Sequence, residues 1–201
     1  MEDRVTDDVR TSEILTVPNL LSLARIVLTP VFIWAMTQRR PWTAFAIFLA
    51  AGATDALDGY TARRFHLKSN LGLWLDPAGD KILLTAALIV LTLPKLSAPN
   101  VVPLWLTVIS IGRDLFIAIG ALVYIAIRGR TVFRPTLLGK ASTVAGVFTL
   151  LAVLLWNALG SSPAFLPWLF VLTAVLAASS GVHYIVLGIQ RFFGERKPAA
   201  G

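Results

Sequence analysis

Chemistry in this chain is concentrated in its carboxylates. Of eleven acidic residues in 201, six lie toward the termini (Glu2, Asp3, Asp7, Asp8, Glu13 and Glu195). The other five, Asp55, Asp58, Asp76, Asp80 and Asp114, lie in or beside apolar segments. A carboxylate at membrane depth costs several kcal/mol unless it is compensated, so acids placed there point to function. Asp55 and Asp58 are three apart and Asp76 and Asp80 four apart, and on a helix either spacing puts the pair on one face. The segment between them, Arg64 to Leu71, is short enough to make the two helices antiparallel neighbours. Four carboxylates then face one small volume. Unpaired charges at that spacing would repel by several kcal/mol, which leaves protonation, pairing with Arg or Lys, or divalent cations to neutralise them. The chain has no cysteine and no paired histidines nearby. An oxygen-only donor set favours a hard ion, magnesium or manganese before calcium. Two such ions on shared aspartates would suit phosphoryl chemistry. Gly59 and Gly72 would let a ligand or backbone approach closely, and Arg63 offers a fork of donors matched to phosphate or carboxylate.

The elements that must hold these groups are apolar. Hydrophobic residues make up 56% of the chain and charged ones 14%, against about 25% in typical soluble domains, and mean hydropathy is +0.75. A soluble fold of this size could not hide that much apolar surface, and disordered chains are poor in it. The reading is an all-α integral membrane protein of six transmembrane helices with a cytoplasm-facing polar site. Spans are expected at about 18–37, 42–63, 72–93, 102–127, 139–158 and 166–188. A polar segment, 1–16, precedes a single membrane domain, 17–190, and a basic tail, 191–201, follows it. Residues 1–16 lack the pattern of a cleaved signal peptide. With both termini cytoplasmic, twelve basic residues fall on that side and only Arg39, Arg40 and Lys95 on the other, as the positive-inside bias requires. The location expected is a cell inner membrane, crossed several times. A net charge of +7 fits loops that touch anionic headgroups and raises no expectation of nucleic acid. Trp42, Trp105, Trp156 and Trp168 fall near span ends on the outer side, where an aromatic belt would sit.

Some of these residues have plainer uses. A lone intramembrane aspartate such as Asp114 can serve as a helix–helix hydrogen bond. Arg64 and Lys68 read as positive-inside residues, His66 and His183 as structural, and Gly139 and Gly146 as packing glycines. Arg63, one turn past Gly59, reads as functional.

Taken together the central residues resemble a known pattern. Asp-x2-Asp-Gly-x2-Ala-Arg-x8-Gly-x3-Asp-x3-Asp is the signature of the CDP-alcohol phosphotransferases. It is filled here without departure by Asp55, Asp58, Gly59, Ala62, Arg63, Gly72, Asp76 and Asp80. At average residue usage, eight such matches at one start site have a chance probability on the order of 10⁻¹⁰. The resemblance implies that Asp55, Asp58 and Asp76 bind a pair of divalent ions, Mg2+ or Mn2+. It implies that Asp80 is the general base and also touches metal. Asp55, Gly59, Ala62, Arg63 and Gly72 would then line the cytidine-diphosphate pocket, and the protein would form a homodimer. The donor implied is CDP-diacylglycerol. Val17 to Ile26 resembles the phospholipid-synthesising branch. The surroundings of Arg113–Asp114, Arg134–Lys140 and His183–Tyr184 are most similar to CMP-forming cardiolipin synthases, whose acceptor is phosphatidylglycerol. Arg113, Arg134 and Lys140 would hold the acceptor's phosphate. The rival is a phosphatidylglycerophosphate synthase, whose acceptor is glycerol 3-phosphate. Those enzymes usually carry Glu after the fourth-span Arg and a further Arg beyond, where this chain has Asp114 and an uncharged run to Ile127.

Two other classes make different demands. A divalent-cation transporter would explain the carboxylates but not Arg63 or the glycines. A structural membrane protein would leave five intramembrane acids without purpose.

Overall fold

The computed structural model describes the backbone of residues 17–65, 72–128 and 136–194, and the side chains of 23–54, 81–127 and 136–190. Among them are six α-helices and no strand: α1 Val17–Thr37, α2 Pro41–Phe65, α3 Gly72–Thr92, α4 Leu104–Arg128, α5 Leu137–Ala158 and α6 Leu166–Gly194. Each coincides with an expected span to within a few residues, except that α6 runs on through Arg191 to Gly194.

Local chemistry sets these limits. Pro41 opens α2, where its missing N–H would have had no partner in any case. Pro103 and Pro163 precede α4 and α6, and their carbonyls accept the first-turn bonds from Leu106 and Leu166. Thr136 caps α5, its Oγ1 accepting the Gly139 N–H at 3.1 Å. Within the apolar helices threonine hydroxyls donate to their own helix backbone, as Thr29 does to the Arg25 carbonyl at 2.9 Å and Thr92 to that of Leu88 at 2.7 Å. Such a hydroxyl needs no other partner in an apolar medium.

Among the described residues three helices are long and apolar enough to cross a membrane: Leu104–Ile127, Leu137–Ala158 and Leu166–Gln190, with mean hydropathy of 1.9, 1.8 and 1.9. Their outward faces are apolar, with Leu104, Val108, Phe148 and Trp168 all more than half exposed. In water that surface would drive aggregation; in lipid it is the expected exterior. The protein is an all-helical integral membrane protein.

The chain divides into two compact units, Met1–Val101 with Leu150–Ser162, and Val102–Thr149 with Pro163–Gly201. In the first, α1 packs against both α2 and α3. Phe32, Ala35, Ala44, Ala51, Ala87 and Leu91 are buried there, and the small residues among them allow the close helix approach that lipid-embedded packing requires. The Phe32 and Phe48 rings pack 6.0 Å apart, tilted by 49°. In the second, α4 packs against α6, and Thr149 and Thr173 pair their buried hydroxyls at 2.7 Å.

Candidate active site

The signature residues occupy two helices of the first unit: Asp55, Asp58, Gly59, Ala62 and Arg63 on α2, and Gly72, Asp76 and Asp80 on α3. Their side chains lie outside the described residues, but the helical backbone fixes their register. At 100° per residue the five positions on α2 fall within an arc of about 140°, and the three on α3 within about 80°. Each set therefore marks one side of its helix.

Depth follows from the same geometry. Met36, near the end of α1, lines a common cavity with Pro41 and Pro94, so α1 and α3 end, and α2 begins, at one end of this unit. Measured inward from there at 1.5 Å per residue, Asp80 stands about 18 Å along α3, Asp55 about 21 Å along α2, Asp76 about 24 Å and Asp58 about 26 Å. Four carboxylate-bearing positions thus share a band about 8 Å deep, compatible with one polyanionic cluster. As a donor set it is all oxygen, and it fits a hard divalent cation. Among the residues whose side chains are described there is no group of three potential metal ligands; the aspartates fall outside that set.

Arg25 joins the band. It lies twelve residues before Thr37 on α1, hence about 18 Å in, the same depth as Asp80, and it is only 4% exposed. A guanidinium at that burial must be compensated by polar or anionic groups. α1 packs on both signature helices, so a fixed positive charge stands level with the carboxylates. Sequence reasoning gave Arg25 no role; the signal was its position inside an apolar span, the criterion applied to the acids.

The expected acceptor residues belong to the second unit. Arg134 is outside the described residues. Lys140 is exposed in the first turn of α5. Arg113, on α4, has a side chain only 10% exposed and is engaged within its own unit. One terminal nitrogen, Nη1, donates to Asp114 Oδ1 at 2.6 Å, and Nη2 donates to Ser180 Oγ at 2.7 Å and to the Gly139 carbonyl at 3.4 Å. Its buried Nε has no hydrogen-bond partner among the described residues. Arg113 therefore ties α4 to α5 and α6, and one buried donor remains. Beside it the Tyr184 hydroxyl accepts the Thr136 N–H at 3.2 Å. A Cβ on Gly139 would lie 3.0 Å from that hydroxyl, so Gly139 is a packing glycine as expected. Ser180 and Tyr184 carried no sequence signal of this arrangement, because a serine or tyrosine in an apolar helix is ordinary.

Known proteins agree with the pattern. Residues 15–180 match the family model described as CDP-alcohol phosphatidyltransferase. Over 192 residues the chain is 33% identical to a cardiolipin synthase (CMP-forming) of Streptomyces coelicolor, covering 89% of this chain and 85% of that protein. It is 34% identical over 155 residues to a CDP-diacylglycerol–glycerol-3-phosphate 3-phosphatidyltransferase of Bacillus subtilis (70% and 77% covered). A protein of the same description from Pseudomonas fluorescens is 35% identical over 176 residues, with 84% of each covered. With the signature complete on α2 and α3 and the match running through all six helices, the chain belongs to the CDP-alcohol phosphatidyltransferase family of phospholipid-synthesising enzymes.

Proposed function

We propose that this enzyme transfers the phosphatidyl group of CDP-diacylglycerol to a hydroxyl of phosphatidylglycerol, giving cardiolipin and CMP. The observation that carries the transfer is the band of four aspartate positions, each pair on one side of its helix. The choice of acceptor rests on the likeness to the Streptomyces cardiolipin synthase across 89% of the chain and on Asp114 with the uncharged run after it.

Asp55, Asp58, Asp76 and Asp80 would hold two Mg2+ or Mn2+ ions. Bound there, the ions would neutralise the pyrophosphate and the charge developing on the departing phosphate. Gly59, Ala62 and Gly72 leave room for the nucleotide, and Arg63 binds a phosphate oxygen. The Asp80 carboxylate takes the proton of the acceptor hydroxyl. That oxygen attacks the lipid-side phosphorus, the bond from this phosphorus to the bridging oxygen breaks, and CMP leaves with the bridging oxygen. Arg113 Nε, Arg134 and Lys140 are the cations assigned to the acceptor's phosphate. A band about 18–26 Å from one end of helices this long lies toward the opposite face of a hydrocarbon core about 30 Å thick. There soluble cytidine and insoluble acyl chains can meet. The charge bias supports a cytoplasmic position for that face and both termini, an inner membrane is the location this reading assigns, and the family resemblance supports a homodimer.

The likeness to the Bacillus and Pseudomonas proteins favours a second reading, glycerol 3-phosphate as acceptor. Purified protein given CDP-diacylglycerol, Mg2+ and each acceptor in turn separates the two. Cardiolipin and CMP should form with phosphatidylglycerol; CMP release with glycerol 3-phosphate alone would transfer the assignment to the second reading. Metal uptake into vesicles without CMP release would instead reveal a transporter.

A further inference from the structure

The end of the first unit remote from the aspartates is cationic. A cavity of about 240 Å³ opens there, lined by Arg39, Arg40 and Lys95, with Met36, Leu154 and Asn157 among its other walls. The three cations are exposed, and among the described residues none forms an ion pair. The chain has no acid between Glu13 and Asp55 or between Asp80 and Asp114, so their own segments supply no counter-charge. Arg40 rests over the Trp34 ring, 5.5 Å from its centroid.

The backbone singles out Arg39. At the end of α1 the Arg39 N–H bonds the Met36 carbonyl at 3.1 Å and the Arg40 N–H bonds that of Ala35 at 2.9 Å, with Arg39 at φ +54°. α5 ends in the same turn: Gly160 N–H bonds Asn157 at 3.2 Å, Ser161 N–H bonds Trp156 at 3.1 Å, and φ at Gly160 is +67°. This left-handed position favours glycine, and an arginine there carries a conformational cost of the kind retained where function needs the side chain.

The cavity walls define a ligand. Three cations at the rim call for net negative charge and disfavour a headgroup carrying its own ammonium. Met36 and Leu154 are buried and apolar, and exposed Trp34 and Trp42 mark a membrane–water boundary. We infer that this cavity binds the phosphate of an anionic phospholipid through Arg39, Arg40 and Lys95. Pro41 is 14 residues from Asp55, about 21 Å along α2, so this lipid is not the one reacting at the aspartates.

The test uses full-length protein in detergent, titrated with phosphatidylinositol or phosphatidylcholine and followed by native mass spectrometry. Neither lipid is a substrate in the reading above, so either inference can fail alone. Wild type should retain phosphatidylinositol preferentially. R39Q/R40Q/K95Q, with helicity unchanged, should bind it about tenfold more weakly, down to the phosphatidylcholine level. Millimolar inorganic phosphate should not displace it. R39G, which keeps the turn, should also weaken retention while melting about 2 °C higher. Equal retention of the two lipids by wild type, unchanged binding in both variants, or displacement by inorganic phosphate would overturn the proposal; displacement would identify a free-anion site.

Discussion

The two ends of α1–α3 are opposites. One carries four aspartates and the buried Arg25 within a band about 8 Å deep, with Arg63 about 7 Å further along α2. The other carries Arg39, Arg40 and Lys95 around a cavity, and beneath them a neutral amide network. Asn157 Nδ2 donates to the carbonyls of Ser97 and Asn100 at 3.1 and 3.0 Å, and its Oδ1 accepts the Asn100 N–H at 2.7 Å. The difference separates two uses of buried polarity. Amides can be fully satisfied by one another, so they hold a loop in place and ask for nothing more. Carboxylates gathered on two helix faces repel, so in the reading proposed above that end would take up divalent cations. Beneath its cavity one end is closed by its own hydrogen bonds; the other, in the reading proposed above, stays open to ions.

The largest effect should come from the open end. Asp80→Asn removes the proposed base and should lower CMP release by about 10²–10⁴-fold, while the intrinsic-fluorescence melt of the six tryptophans stays within a degree or two of wild type or rises as repulsion is relieved. Asp76→Asn should behave alike, and chelation of divalent ions should abolish turnover until Mg2+ or Mn2+ is restored. Full activity in Asp80→Asn would remove the base; a collapse of the melt in both variants would make the aspartates structural and erase the contrast between the ends.

Much of this contrast was legible in the sequence because charge in an apolar span is conspicuous. Asp55 to Asp80 were found by that signal, and their spacing already implied shared helix faces. Helix limits were legible where Pro41, Pro103 and Pro163 interrupt the apolar pattern. What was not legible depends on contacts between distant segments. Asn157 lies 57 residues from Asn100, and nothing local distinguishes it from any asparagine near a span end. The bonds of Arg113 to Ser180 and Gly139 require α5 and α6 to be in place, so they too were not legible locally. That α1 would pack on both signature helices, bringing Arg25 level with Asp80, could not be read from local spacing.

Arg25 tests whether the open end depends on a fixed positive charge. Replacing it by Met keeps much of the volume but strands the groups that now compensate a 4%-exposed guanidinium. The expected cost is about 3 kcal/mol of stability, with activity per folded molecule reduced as well. Arg25→Lys should recover stability better than activity, because an ammonium restores charge without the planar fork. If Arg25→Met melts and turns over like wild type, the band contains only the aspartates.

At the closed end, Asn157→Ala should do the reverse of Asp80→Asn. It leaves the Asn100 N–H and the Ser97 and Asn100 carbonyls without their buried partner, which costs about 2 kcal/mol, and turnover by the remaining folded protein should be unaltered. A loss of turnover with an unchanged melt would show that the two ends are coupled.

The smallest effect bears on the one feature the two helix-ending turns do not share. A Cβ at Gly160 would meet nothing within 4 Å, so Gly160→Ala adds no clash and isolates the cost of a side chain at φ +67°, about 1 kcal/mol. Arg39→Gly at φ +54° should return a similar amount with opposite sign, since its turn has the same hydrogen bonds. Equal and opposite shifts in the melt would mean that the cationic end tolerates a backbone cost at Arg39 which the neighbouring turn avoids with glycine, leaving the side chain's place in the cavity as the reason to keep it. If Gly160→Ala costs nothing measurable, the left-handed turn is cheap here and Arg39 needs no special reason to be arginine.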